Sequence, residues 1–312
     1  MREMVTSVAF VLLLAGCAAT EPRAPAPATD ATVEATALDG RPLRRPELPD
    51  DLRIRYEAAL ATARADYARG PSADHLIWVG RRLGYLGRYR EAIETFSAGI
   101  ATYPHDARFL RHRGHRYLTT RRIDDAVRDF EAAAALIDDT ADEIEPDGLP
   151  NARGIPTSTL HTNVYYHLGL AHYLRGDYVA ARNAWMRCLA ASRNPDMEAA
   201  TRYWLYLAQR RLGDDEQAAR NLAAVDPGWD IIENHAYHRL LLRFRGEATA
   251  ESFETTEVAN VEDATFAYGL AQWHRFEGRD AETDALLGRL LTGSQWAAFG
   301  YLAAEADRRR GR

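Results

Sequence analysis

Val79-Gly80-Arg81-Arg82-Leu83-Gly84-Tyr85-Leu86-Gly87-Arg88-Tyr89-Arg90-Glu91-Ala92-Ile93-Glu94-Thr95-Phe96 is echoed further along the chain by a stretch with the same skeleton. Gly80, Tyr89, Ala92 and Phe96 align with Gly114, Ile123, Ala126 and Phe130, each pair 34 residues apart. A unit of that length cannot bury its apolar face alone and must lean on copies of itself. Its residues describe two antiparallel helices. Gly80 and Ala92 are small enough to let them approach, while Leu83 and Phe96 fill the space beside the crossing. Gly87 can take the left-handed conformation that ends the first helix, and Pro104 stops the second.

Val79-Gly80, Leu83, Gly87, Tyr89, Ala92, Phe96 and Pro104, within a unit from about Ala73 to His105, resemble the tetratricopeptide repeat. A third unit, near Thr162 to Ser192, carries Leu168-Gly169, Gly176, Tyr178, Ala181, Trp185 and Cys188 in the same roles. The fourth, from about Ala199, keeps Leu205, Gly213, Ala218 and Leu222 but has Tyr206 where glycine is usual, so its helices are expected to splay. Ile231 to Phe244 and Val261 to Glu277 read as first helices closed by Gly246 and Gly278, with degenerate second helices behind them. Trp296 to Arg310 reads as an amphipathic capping helix, and Leu52 to Arg69 as a helix covering the N-terminal face. The resemblance implies an all-α, tetratricopeptide-type α-solenoid of antiparallel hairpins. A helical cap and four hairpins are expected over residues 51–225, then degenerate helices and the capping helix over residues 226–312. Such residues serve packing, so they specify a fold and leave function open.

Composition agrees. Of 312 residues 46% are hydrophobic, enough for a substantial core, and sustained alternation of β-branched residues is missing. A formal charge of −6 argues for no nucleic-acid partner. All 39 basic residues are arginine, a pattern set by base composition whose physical effect is real: guanidinium forks grip carboxylates and stack on rings. The two cysteines, Cys17 and Cys188, make no disulfide framework, and Cys188 reads as a small buried apolar residue.

Val5 to Leu14 is an apolar run behind Arg2, shorter than the about 20 residues that span a bilayer. A secretory signal over residues 1–16 is the expectation. Leu14-Ala15-Gly16-Cys17 resembles the lipobox of bacterial lipoproteins, which implies cleavage before Cys17, acylation of its thiol and anchoring to a membrane of the cell envelope. Ala18 after the cysteine points, by the same resemblance, to the outer membrane facing the periplasm. From there to residue 50, Ala/Pro-rich sequence reads as a flexible, disordered tether.

By resemblance, the first helix of each hairpin lines a concave groove. Its expected residues are Arg81 and Tyr85; Arg108, Arg111 and His115; Asn163, Tyr166 and Tyr173; and Tyr203, Arg210 and Arg211. An aromatic, basic groove suits a protein or peptide partner carrying carboxylates. The family's carboxylate clamp is not reproduced, since Ile77 stands where a lysine would be wanted. An insertion at about residues 138–159 begins acidic and continues Pro146-Asp147-Gly148-Leu149-Pro150. It is expected to fold onto the groove and present Asn151 or Arg153. His235 and His238, three apart, are weak metal candidates, and Trp204, Tyr166 and Tyr203 could form a stacking platform for a glycan or small molecule. No phosphate loop, nucleophile elbow or zinc spacing occurs, so neither catalysis nor a cofactor is expected. The leading reading is a membrane-anchored interaction scaffold. The alternative is a small-molecule, glycan or metal binder, catalytic at the limit, using the insertion and the histidine region.

Overall fold

The computed structural model describes residue 30, residues 32–247 and residues 258–311. The expected signal and Cys17 lie outside the described residues. Helix crossings are set by the glycines that the repeat pattern singles out. A Cβ at Gly80 would lie 2.4 Å from Phe96, one at Gly114 2.9 Å from Phe130, and one at Gly169 2.5 Å from Trp185. In each of these three hairpins an aromatic ring approaches bare backbone, and all three aromatics are essentially inaccessible to solvent.

The described residues form two short strands and thirteen helices: β1 Val33–Thr36, β2 Pro42–Arg44, α1 Asp50–Arg69, α2 Ala73–Tyr85, α3 Tyr89–Thr102, α4 Ala107–Thr119, α5 Ile123–Ile137, α6 Leu160–Arg175, α7 Tyr178–Ala191, α8 Pro195–Arg211, α9 Asp215–Ala223, α10 His235–Phe244, α11 Val261–Phe276, α12 Asp280–Thr292 and α13 Phe299–Arg309. Each helix from α1 to α9 packs mainly on its sequence neighbours, as a solenoid requires. The expected all-α solenoid of antiparallel hairpins is present. Side chains placed for capping start the helices: Ser72 accepts from the His75 N–H, Asp177 from Ala180, Asn194 from Met197 and Asp214 from Gln217. Thr159 and Thr162 make a reciprocal capping box at α6. Left-handed glycines end the first helices at Gly87, Gly176, Gly213 and Gly278. Arg121, 34 residues after Gly87, takes that turn with φ of 65°, the one non-glycine residue at positive φ among the described residues.

Three features depart from the sequence reading. The tether expected through residue 50 is structured in its second half, where β1 and β2 pair antiparallel across a turn at Gly40. Ala35, Ala37 and Leu43 are buried, and the Trp296 indole donates to the Arg44 carbonyl at 3.0 Å. Small side chains give a weak apolar signal, and the surface that orders them comes from the far end of the chain. The helix behind α11 is regular rather than degenerate, with Leu286, Leu287, Leu290 and Leu291 buried. Finally, α13 does not end the stack with a polar outer face. Every residue from Gly300 to Asp307 is buried, because α13 packs against α11, α12 and α6, with Gly300 so close that a Cβ would lie 2.4 Å from the Ala264 carbonyl oxygen. The fourth hairpin keeps its tyrosine: Tyr206 is buried and stacks on Phe244 of α10 at 4.8 Å.

Candidate functional site

The first helices α2, α4, α6 and α8 carry the expected groove residues, and most of them already have partners within the chain. Arg111 is buried, with its Nε 3.0 Å from Glu145 of the insertion. Asn163 donates to the same carboxylate at 3.0 Å and to Ser158 at 2.9 Å. Tyr166 donates to the Tyr237 hydroxyl at 3.1 Å and accepts from the Trp204 indole at 2.9 Å, and the hydroxyls of Tyr173 and Tyr268 meet at 2.9 Å. Tyr203 is wholly buried against Trp204, Tyr237 and Phe244. Arg108 pairs with Asp74 and Asp106, each at 2.6 Å, and Arg210 with Asp215 at 2.9 Å. Arg211 bonds Asp307 of α13 and the Gln272 amide oxygen at 2.7 Å.

Asp307 is the deepest polar anchor of the inner wall. It is fully buried, and besides Arg211 it accepts from Arg275 at 3.0 Å, Arg310 at 2.9 Å, Tyr268 at 3.1 Å and Gln272 at 3.2 Å. Two residues earlier, Glu305 is held by Arg121 at 2.6 Å, and Arg121 also donates to the Trp296 carbonyl at 2.8 Å. The C-terminal helix thus presents two carboxylates to arginines of the solenoid. None of Glu145, Glu305, Asp307 or Arg121 was expected from the sequence. The available signal was Ala303-Ala304-Glu305-Ala306-Asp307: acids set among alanines, on a helix too apolar around them to lie on the surface.

Three imidazoles stand beside Arg111. His115 and His167 have ring centroids 4.6 Å apart, with Phe299 of α13 against both, and His112 stacks on Phe96 at 5.3 Å. Burial pushes His167 down to about 3, and Arg111 and Arg116 push the same way. His112 and His115 are held well below the usual histidine range, first by burial and then by neighbouring arginines. His167 donates from Nδ1 to the Asn163 carbonyl at 2.6 Å, since a carbonyl can only accept. Burial also pulls Arg111 below its usual range, against the pull of Glu145.

The insertion does fold back over this wall, though not with the side chains expected. Glu145 enters it, and the Gly148 carbonyl accepts from Arg82 at 3.0 Å. Asn151 instead closes its own turn, donating to the Ile155 carbonyl at 2.6 Å, and Arg153 pairs in solvent with Asp230 at 2.6 Å. Thr157 bonds Glu233, which ties the loop to the approach of α10. Of the metal candidates, His235 is exposed and His238 donates to the Asp226 carbonyl at 2.9 Å. Among the described residues no group of three or more His, Cys, Asp or Glu is placed to hold a metal ion. The stacking platform is corrected too. Trp204 and Tyr203 are fully buried and Tyr166 nearly so, because they pack on Trp185, Tyr237 and Tyr268 in the core. Cys188 is buried, its thiol pushed up to about 12 by desolvation, which makes it inert.

The fold and wall define a helical-hairpin solenoid whose first helices meet its own insertion and C-terminal helix. No protein-family model and no curated protein matches the chain. Solved structures are similar to it at low identity. A tetratricopeptide repeat protein from Parabacteroides merdae has a TM-score of 0.48 at 12% identity, over 80% of this chain and 93% of that one. YrrB, described as a TPR protein with an unusual peptide-binding site, has 0.44 at 12%, over 75% and 93%. MamA from AMB-1 has 0.41 at 18%, over 55% and 87%.

Proposed function

We propose that the chain is an interaction scaffold that recruits a protein partner and is anchored through acylated Cys17 to an envelope membrane, the outer membrane facing the periplasm. The lipobox-like Leu14-Ala15-Gly16-Cys17 behind its apolar run supports the anchor. One observation carries the recruitment: the insertion is tied down at Glu145, Gly148, Thr157 and Thr159, yet it holds Ile144, Leu149 and Ile155 at 68%, 53% and 50% exposure. Keeping large apolar side chains in water on a fixed loop costs free energy that a partner's contact recovers.

The test is capture from detergent-solubilised envelopes with Leu149→Glu plus Ile155→Glu. These side chains are exposed, so the fold is untouched and partners are lost. Partners retained by the double variant would refute the recruiting role of the loop. Fatty-acid analysis of Cys17→Ser tests the anchor, and membrane association that survives this change would refute it.

A further inference from the structure

The fourth hairpin leaves unpartnered a position that the second and third hairpins satisfy. Gly114, Gly169 and Tyr206 hold the same place in the repeat, so Tyr117 of α4, His172 of α6 and Gln209 of α8 correspond as well, each three residues on. Tyr117 is covered by the guanidinium groups of Arg122 at 4.1 Å and Arg113 at 5.4 Å, and Arg113 goes on to bond Ser97 of α3 and Asp129 of α5. His172 accepts from Arg175 at 3.2 Å and stands 3.9 Å from Glu131. Gln209 has no such neighbour. The residue is 5% exposed, and its Oε1 is a buried acceptor with nothing to accept among the described residues. A buried carboxamide left without a partner costs stability, and a native fold that keeps one has a use for it.

Gln209 lines a cavity of about 490 Å³ between α7, α8 and α9, within the range of about 300–1,000 Å³ that small-molecule sites occupy. Leu189, Leu205 and Met186 give it an apolar side, with Met186 55% exposed. Two charged groups on different helices line the same cavity without an ion pair among the described residues. Arg182 of α7 reaches only the Asn183 side-chain oxygen, at 3.3 and 3.4 Å, and the Asp214 carboxylate accepts only the Gln217 N–H at 3.3 Å, as the cap of α9. The other arginines of the cavity are committed, Arg202 to Glu198 and Asn221, and Arg220 to Glu216. One open cation, one open anion, one unpartnered carboxamide and an apolar side describe a ligand that carries both charges and has no net charge.

We infer that this cavity binds a free apolar α-amino acid as its zwitterion. Its carboxylate meets Arg182, its ammonium meets Asp214, and its side chain lies against Met186, Leu189 and Leu205. The Gln209 carboxamide bonds the polar end, since by turning over it offers an N–H to the carboxylate or an oxygen to the ammonium. The site goes beyond the scaffold reading and shares no residue with the recruiting loop, so either can fail alone.

The test is calorimetric titration of the full chain in detergent with L-leucine. Saturable binding is expected. N-acetyl-L-leucine lacks the ammonium, L-leucinamide lacks the carboxylate and glycine lacks the apolar side chain, so each binds at least tenfold more weakly. Arg182→Gln and Asp214→Ser each weaken leucine binding tenfold or more, and serine preserves the helix cap. Arg187→Gln, the same charge change on α7 outside the cavity, leaves binding within twofold. Gln209→Leu weakens binding tenfold or more and yet raises the urea midpoint, because it removes the unsatisfied buried amide. Four results would each overturn the site: no leucine binding at ten millimolar, acetylated or amidated leucine binding as tightly as leucine, unchanged binding in both Arg182→Gln and Asp214→Ser, or a Gln209→Leu variant that loses stability along with binding.

Discussion

Arg121→Gly sets two effects of opposite sign against each other. The backbone at Arg121 has φ of 65°, where an L side chain costs about 1–2 kcal/mol and glycine costs almost nothing. Part of that relief is returned, because glycine adds about 0.4–1 kcal/mol of freedom to the unfolded chain. Against it stands the guanidinium, which holds Glu305 at 2.6 Å with both side chains at most 5% exposed and donates to the carbonyls of Thr119 and Trp296. Stranding one partner of such a buried pair costs about 3–5 kcal/mol. The variant is therefore destabilised by about 2–4 kcal/mol, even though it restores the glycine of the other turns. The assay is urea unfolding followed by tryptophan fluorescence, with Trp296 as the local reporter. The loss is larger at pH 8 than at pH 5. Burial already raises the Glu305 carboxyl, and losing Arg121 raises it further, so stability of the variant is present where Glu305 is protonated and falls as pH rises. A variant as stable as wild type at pH 8 would refute the primacy of the ion pair over the turn.

Gly169→Ala forces a methyl to within 2.5 Å of the Trp185 ring and costs about 1–3 kcal/mol, more than the gain in helix propensity. Gly213→Ala, which meets open space but has φ of 71°, costs about 1–2 kcal/mol through backbone alone; equal urea midpoints for wild type and Gly169→Ala would contradict the close crossing. His112, His115 and His167 are neutral when folded and titrate near 6.5 when unfolded, so the unfolded chain takes up protons first and stability falls as pH drops below about 6.5, by up to about 1.4 kcal/mol per unit for each. For His167 the decline continues to about 3. His167→Gln flattens the slope between pH 6.5 and 5, and an unchanged slope would rule out that origin. Cys188 stays unreactive to a thiol reagent until the chain unfolds; modification of native protein at the rate of a free thiol would contradict its burial.

The hairpins were legible because their determinants are local. Gly80 with Phe96, Gly114 with Phe130 and Gly169 with Trp185 each sit 16 residues apart, and the capping residues stand beside the helices they start. The inner wall was not, because its determinants are distant. Arg121 finds Glu305 across 184 residues, Arg211 finds Asp307 across 96, and Trp296 finds Arg44 across 252. Periodicity says which face of α4 or α6 points inward but not what fills the space there. For that reason Arg111 and Arg211, taken as groove residues, proved to be anchors of the buried carboxylates of Glu145 and Asp307. The order of residues 32–48 was hidden for the same reason, since alanines carry little signal until Trp296 and Tyr301 lie beside them.

The account depends most on α13 lying inside the solenoid as part of its wall. Amide hydrogen exchange on the full chain tests this directly. Backbone amides of Phe299–Arg309 should exchange as slowly as those of Leu160–Arg175, and Asp307→Asn should speed exchange in α13 before it does so in α6. Exchange of α13 within seconds, beside a protected α6, would mean that the helix does not fill the wall.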